Sequence, residues 1–545
     1  MARTPLFAAL RRALRTAELA RRTGRDPAEL LATPRRGPDR RAVLRGALGA
    51  AALAPLAAAC GDNLDGSARV AVIGAGTAGL HCAYRLQEAG VNVTVYEASG
   101  RTGGRMFTDR GSYPDGKVIE LGGELVDSGH TVMMALCAEF GLTLDDVEAF
   151  DASVRKDTFY FDGQVVPMAT VVSEFTPLAA RMATAAAMEG DAAAFTRIDN
   201  LSIPAWLGGD GMLPASALIR RLLERAYVGE YGLEVDQQSA WNLLWLIDYD
   251  TPDPFRIYGD SDERYHVHEG NQAVPDALAA RLPGRIELGH ELVAVRALSD
   301  GKPVLTFDTD GGTVEQGFDR VVFALPFTTL RKLDLTKAGL TDDKQTIIRT
   351  LGYGTNAKLM LRFGSRPWRT THLTSGATVS DVGDLQATWE TSRGYAGADG
   401  ILTNFVGGAR GVAIGAGTAE ERAAEVLPWL DTIFPGSQAA YTAGSAVRQH
   451  WPTAPYVLGS YACYQPGQAS YAGLEGEAEG RFHFCGEHTS VEAQGYMEGA
   501  AETGLRAADE VLTALGVPAG PAMQRMIAAR AASRRRRRRR GTPRP

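Results

Sequence analysis

Between Arg69 and Glu97 the chain reads strand, glycine turn, helix, strand, acid. Arg69-Val-Ala-Val-Ile73 is a short β-branched run, followed at once by Gly74-Ala-Gly76-Thr-Ala78-Gly79. Leu80 to Ala89 reads as a helix ended by Gly90, and Val91-Asn-Val-Thr-Val-Tyr96 is a second strand ending at Glu97. Gly74 permits the tight turn, Gly76 lets the backbone approach a pyrophosphate, and Gly79 permits close helix–strand contact. The diphosphate belongs at the helix N-terminus, where free N–H groups and the dipole favour anions. Glu97 lies 18 residues after Gly79, near the roughly 20 expected of an acid that accepts from the adenosine ribose. The unit marks a dinucleotide site but does not separate NAD from FAD.

Composition agrees with a large globular α/β protein. The 545 residues are 45% hydrophobic and 22% charged, which excludes a wholly disordered, collagen-like or coiled-coil chain. Five Cys in that length exclude a disulfide scaffold, and Cys82, Cys137, Cys463 and Cys485 read as small core residues. The nine His show no zinc-type clustering, so no metal is expected.

Further motifs flank the first. Ser99-Gly-Arg101-Thr-Gly103-Gly104-Arg105-Met106 places a glycine pair and an arginine just past Glu97. Near the C-terminus Arg481-Phe-His-Phe-Cys485-Gly486-Glu487-His488 is a strand ending in Gly-Glu, and Gly495-Tyr496-Met497-Glu498-Gly499 opens a last helix running to about Leu515.

On these motifs the stretch from about Arg69 to Leu515 resembles the flavin-dependent amine oxidase family, which includes monoamine, polyamine and L-amino acid oxidases and tryptophan 2-monooxygenase. The resemblance implies an FAD-binding, Rossmann-like domain of glutathione-reductase type with a discontinuous α+β substrate domain. It implies FAD, with Arg105 near the pyrophosphate, Glu487 on the ribityl chain and Met497 at the pyrimidine end. Val293, in Leu288-Gly-His-Glu-Leu-Val293, is expected to meet adenine through its backbone. Ala78, Ala98, Gly104, Gly122, Gly123, Glu124, Trp451, Gly486 and Gly495 complete the expected cofactor contacts. The reaction implied is hydride transfer from a neutral amine to flavin N5, reoxidation by O₂ to H₂O₂, and release of an aldehyde or ketone and ammonia. The cofactor carries such chemistry, and the protein supplies orientation and electrostatics.

Three residues are expected at the reacting face. Lys358, in Gly354-Thr-Asn-Ala-Lys358-Leu-Met-Leu361, resembles the family lysine that holds a water at N5, where its charge aids oxygen reduction; the alternative is an edge-strand lysine facing solvent. Tyr461 and Tyr496 match the two aromatic walls of the family's amine cage, which attract a cation; the alternative is core packing. Ser460 falls where monoamine oxidases carry the flavin-bound cysteine, so the flavin is expected to be non-covalent.

Substrate charge is read from what surrounds these positions. Residues 1–59 carry twelve Arg and four acids (+8), and residues 522–545 ten Arg and no acid (+10). With a net charge of −7, the body between them carries −25, which favours cations and disfavours nucleic acid. Where a venom-type amino acid oxidase places its carboxylate-clamping arginine, this chain has Glu124 and Asp127. Both features point to a cationic amine. An L-amino acid oxidase or tryptophan 2-monooxygenase-like enzyme is the alternative, with Arg220, Arg221 and Arg225 as carboxylate partners.

The expected organisation is a leader (1–60), FAD-binding segments (68–130, 267–330, 446–516), substrate-binding segments (131–266, 331–445) and a disordered Arg-rich tail (522–545). Asp39-Arg40-Arg41-Ala42-Val43-Leu44-Arg45 resembles the twin-arginine export motif, and an apolar run from Gly46 to Ala59 reads as a signal h-region. Cys60 is the candidate lipid anchor, although Ala57 stands where the usual lipoprotein pattern has Leu. The export machinery is therefore an expected partner, and the mature protein periplasmic or extracellular. The Arg534–Arg540 run reads either as an adhesive for anionic lipid or polymer or as a solvated extension.

Overall fold

A computed structural model describes residues 68–540 apart from 115, 210–212 and 251–253, with side chains described to residue 532. The expected export motif, h-region and Cys60 lie outside the described residues.

A five-stranded parallel sheet forms the centre of the dinucleotide domain. Its order is Phe482–Phe484, Arg320–Phe323, Arg69–Ile73, Asn92–Glu97, Ile286–Leu288. Arg69–Ile73 is buried on both faces, which is why it reads as an unbroken apolar run. Val70 and Val72 face the helices Thr77–Glu88 and Met497–Leu515; Ala71 and Ile73 face the opposite core, shared with Phe307. On that side lies a four-stranded sheet, order Gly312–Gly317, Pro303–Thr309, Glu291–Ala297, Asp334–Lys337. The two helices approach closely because residue 504 is glycine: a Cβ there would lie 2.3 Å from the Ala78 carbonyl oxygen.

The substrate domain rests on a seven-stranded mixed sheet, order Val447–His450, Ala357–Phe363, Gly400–Val406, Gln386–Glu390, Thr374–Ser380, Arg155–Phe161, Gln164–Val165. Val447–His450 pairs with this sheet although it lies in an expected FAD-binding segment, and Asp334–Lys337 crosses the other way. The helix Ala419–Ile433, started by a Thr418/Glu421 capping box, covers this sheet. Helices Met168–Ala187, Leu218–Tyr231 and Ala240–Leu246 make the helical part of the insert.

The C-terminal segment differs from its sequence reading. Residues Pro521–Arg540 form a helix rather than a disordered tail. Met523 and Met526 are buried in the core beside Leu136 and Val511, and Arg530 pairs with Glu502 at 2.5 Å. Apolar anchoring in the first turns outweighs the arginine repulsion that the composition emphasises.

Candidate active site

A cavity of about 1900 Å³ runs between the two domains. At the dinucleotide end Gly74 has φ +106°, a conformation that only glycine adopts easily, and a Cβ there would meet the Ala324 carbonyl oxygen at 2.9 Å. Gly76 has open space where a Cβ would point, on the cavity wall. No side chain caps the first turn of Thr77–Glu88, so its N–H groups are left to the cavity. Glu97 is held on both oxygens, by the Ala75 N–H at 2.8 Å and by the N–H and hydroxyl of Ser99 at 2.9 and 2.7 Å. Arg105 donates to Glu487 at 2.8 Å, and the other Glu487 oxygen accepts from the Gly495 N–H at 2.9 Å. Together they tie the glycine-pair loop to the start of Met497–Leu515, a second helix without a side-chain cap.

Lys358 is 4% exposed and sits on the second strand of the seven-stranded sheet, between Val447–His450 and Gly400–Val406. It is therefore not an edge-strand lysine facing solvent. Its ammonium donates to the Glu120 and Gly122 carbonyls at 3.0 and 2.8 Å and to Glu124 at 2.8 Å. Glu124 also accepts from Trp389 Nε1 at 2.8 Å and Thr391 Oγ1 at 2.9 Å. Burial works against the Glu124 charge, but Lys358 and the indole hold its carboxyl below the usual range.

Tyr461 and Tyr496 both face the cavity and both reach the C-terminal end of the helix Leu218–Tyr231. The Tyr461 hydroxyl donates to the Gly229 carbonyl at 3.4 Å and the Tyr496 hydroxyl to Glu230 at 3.3 Å. Burial, with Glu230 nearby, keeps both phenols protonated far above their ordinary range. Behind Tyr496 lies His130, at 5.5 Å between ring centroids, which pairs with Asp127 at 3.2 Å.

Beyond the tyrosines the wall is acidic. Glu230, Glu263 and Asp157 line it. Burial, then neighbouring acids, push Glu230 up to about 8 and Glu263 up to about 7. Glu263 has φ +47°, a left-handed conformation uncommon outside glycine, held by its N–H donating to Asp127 at 3.0 Å.

A family model described as flavin containing amine oxidoreductase matches residues 77–512. The chain belongs to this family. An L-amino-acid oxidase of Siganus canaliculatus is 25% identical over 474 residues, covering 82% of this chain and 86% of that protein. Amine oxidase [flavin-containing] A of Equus caballus is 25% identical over 481 residues, covering 82% and 85%. Among solved structures, putrescine oxidase bound to putrescine superposes with a TM-score of 0.69 at 21% identity, covering 82% of this chain and 99% of that one. Cyclohexylamine oxidase from Brevibacterium oxydans gives 0.66 at 20%. These likenesses establish the α/β fold with its FAD-binding and substrate domains.

The amine oxidoreductase has a cradle that fits the flavin its family carries. Gly76 leaves room for a diphosphate, two uncapped helix N-termini supply donors, and Glu97 is fixed for a ribose. Of the residues expected to bind cofactor, Gly74, Gly76, Ala78, Glu97, Ala98, Gly104, Arg105, Gly122, Gly123, Glu124, Trp451, Gly486, Glu487, Gly495, Tyr496 and Met497 line the one cavity, as do Lys358 and Tyr461. Two do not. Gly79 lies behind the turn, where a Cβ would be 2.0 Å from the Gly74 carbonyl oxygen. Val293 falls where the strand pairing skips from Leu292 to Ala294, and this irregularity leaves Glu291 and Leu292 on the wall instead. Gly122 and Gly123 have a packing reason as well: Cβ atoms there would meet the Arg105 carbonyl at 1.8 Å and the Met497 side chain at 2.7 Å.

The oxidoreductase departs from the sequence reading in how charge is arranged. Glu124 is paired with Lys358, and Asp127 is bonded to His130, Ser261 and the Glu263 N–H, so the oxygens of both are already engaged within the protein. Arg220, Arg221 and Arg225 point away from the cavity, to Glu224, to Asp162 and Asp381, and to Asp384. Among the described residues, the arginine that does line it beyond the cradle is Arg256, paired with Asp248. Glu230, Glu263, Asp157 and Arg256 carry no motif, and nothing in the sequence singles them out.

Proposed function

We propose that this chain is an exported, FAD-dependent oxidase of a cationic amine, using O₂ and holding its flavin non-covalently. The observation that carries the substrate class is the wall itself: two tyrosines followed by the carboxylates of Glu230, Glu263 and Asp157. Two aromatic faces attract a cation and exclude water, and the acidic groups beyond them offer a substrate carboxylate no countercharge. The bound flavin would supply electron acceptance and the reduction of oxygen. The protein's own part is to orient the amine between Tyr461 and Tyr496, to keep a positive charge at Lys358, and to surround the substrate with acidic groups. Export rests on the twin-arginine-like segment and the apolar run after it, with Cys60 as a candidate anchor.

A second reading is favoured by Arg256. Arg256 lines the cavity, and exchanging Asp248 for a substrate carboxylate would make an L-amino acid oxidase. Peroxide release measured on a panel of monoamines, diamines and L-amino acids separates the two. The amine reading expects the amines to be turned over and the amino acids to be poor substrates.

A further inference from the structure

Glu230 occupies a position that the oxidation chemistry does not use. It is the penultimate residue of the helix Leu218–Tyr231, so the negative end of the helix dipole adds to its field. Its carboxylate meets the hydroxyl of Tyr496, the outer edge of that ring, and so lies a ring's length beyond the face that the reacting amine would meet. Among the described residues no cation pairs with it. The groups around it are Glu263, Asp127, Tyr227, Tyr258, Tyr461 and Tyr496. The positive groups nearest the neighbouring Glu263 are Lys156 and Arg393, which pair with Glu148 at 3.6 Å and Asp151 at 3.3 Å.

We propose that Glu230 is a specificity-determining residue that receives a second ammonium group of the substrate, distinct from the amine being oxidised, so that the enzyme selects a diamine or polyamine over a monoamine. This rests on the amine-oxidase reading above and names the substrate class within it. A carboxyl enclosed among acids and phenols stays protonated at neutral pH; an arriving ammonium supplies the missing countercharge. The O–H bond of the carboxyl then breaks, its proton passes to solvent, and an ammonium–carboxylate contact forms, with no change of oxidation state.

The test uses the FAD-loaded enzyme with 1,4-diaminobutane and 1-aminobutane, which differ only in the second amine. The wild type is expected to prefer the diamine. Glu230→Gln should lower the diamine-to-monoamine ratio of kcat/KM at least tenfold, about 1.4 kcal/mol, chiefly through KM. Glu230→Asp should restore part of that ratio, which a merely structural role would not do. Calorimetry of 1,4-diaminobutane binding to the dithionite-reduced enzyme at pH 7, in two buffers of different ionisation enthalpy, adds a readout independent of turnover. The wild type should release about one proton more on binding than Glu230→Gln does. Equal losses for both amines in Glu230→Gln, or equal proton release by wild type and Glu230→Gln, overturn the proposal. A wild type that oxidises both amines with equal kcat/KM also overturns it and leaves the amine reading standing. Turnover of L-amino acids with neither amine oxidised overturns the amine reading itself.

Discussion

The Lys358 ammonium and the Glu124 carboxylate meet at 2.8 Å in a pocket that leaves both side chains almost wholly buried. The two remaining N–H directions of Lys358 go to backbone carbonyls, so a water at the flavin must share or displace one of these contacts. Lys358→Met should slow flavin reoxidation much more than flavin reduction. It should also destabilise the fold by about 3–5 kcal/mol, because it strands a buried carboxylate. The double variant Lys358→Met/Glu124→Gln should recover more than half of that loss. Stopped-flow traces unchanged in both half-reactions would place Lys358 outside the chemistry, and a double variant no more stable than the single one would remove the ion-pair argument.

Attachment of the flavin is tested by Ser460. Its hydroxyl donates to Asn356 at 2.6 Å, and it stands on the cavity wall where a flavin-bound cysteine would be expected. Cys463 does not line the cavity; it is fully buried with its sulfur 3.4 Å from the Asn242 amide. Acid precipitation should therefore release free FAD and leave a colourless pellet. Yellow colour retained by the washed pellet is the opposite result.

The acidic wall predicts a pH dependence of stability with a definite sign. An ordinary Glu titrates near 4.5, whereas Glu230 is raised to about 8 by burial and then by Glu263. Between those values the folded protein holds a proton that the unfolded chain has lost, so stability falls as pH rises through that window. Glu230→Gln removes this term. In the FAD-loaded enzyme without substrate, the melting temperature of Glu230→Gln relative to wild type should rise from pH 5 to pH 9. A difference constant across that range would show that Glu230 is not held protonated.

The dinucleotide end was legible because its residues are dictated by the backbone. Gly74 and Gly79 sit where a side chain would collide with Ala324 or with Gly74 itself, and such demands leave a local sequence pattern. The strand Ala357–Phe363 was legible from its apolar run for the same local reason. The substrate chamber was not. Glu230 ends an ordinary amphipathic helix, and Glu263 sits in an irregular loop; only the tertiary fold brings them to Tyr496 and Asp127, hundreds of residues away in the first case. Pairing hid the rest: Glu124 reads as an open acid until Lys358, 234 residues on, neutralises it. The Pro521–Arg540 helix was obscured because nine arginines dominate its composition while two buried methionines fix its start.

Substrate charge is the last prediction. A cationic amine should be oxidised with a higher kcat/KM than a zwitterionic amino acid of similar size. Two contributions differ in range. The −25 body acts over distance, so its share should fade as salt shortens a Debye length of about 10 Å at 0.1 M. The contact between a cation and the faces of Tyr461 and Tyr496 should survive salt, at about 2 kcal/mol when desolvated. Because the reacting amine must lose its proton, kcat/KM should also climb with pH toward the amine pKa. The comparison is a phenylalkylamine, a diamine and the matching L-amino acids at low and high salt. If the amino acids win by tenfold, about 1.4 kcal/mol, Arg256 is the residue to change. Arg256→Leu should then abolish their advantage while leaving the amines less affected, because among the described residues Arg256 is the arginine that lines the cavity beyond the cradle. If instead the amines win and Arg256→Leu leaves their lead intact, the carboxylates beyond the tyrosines set the preference.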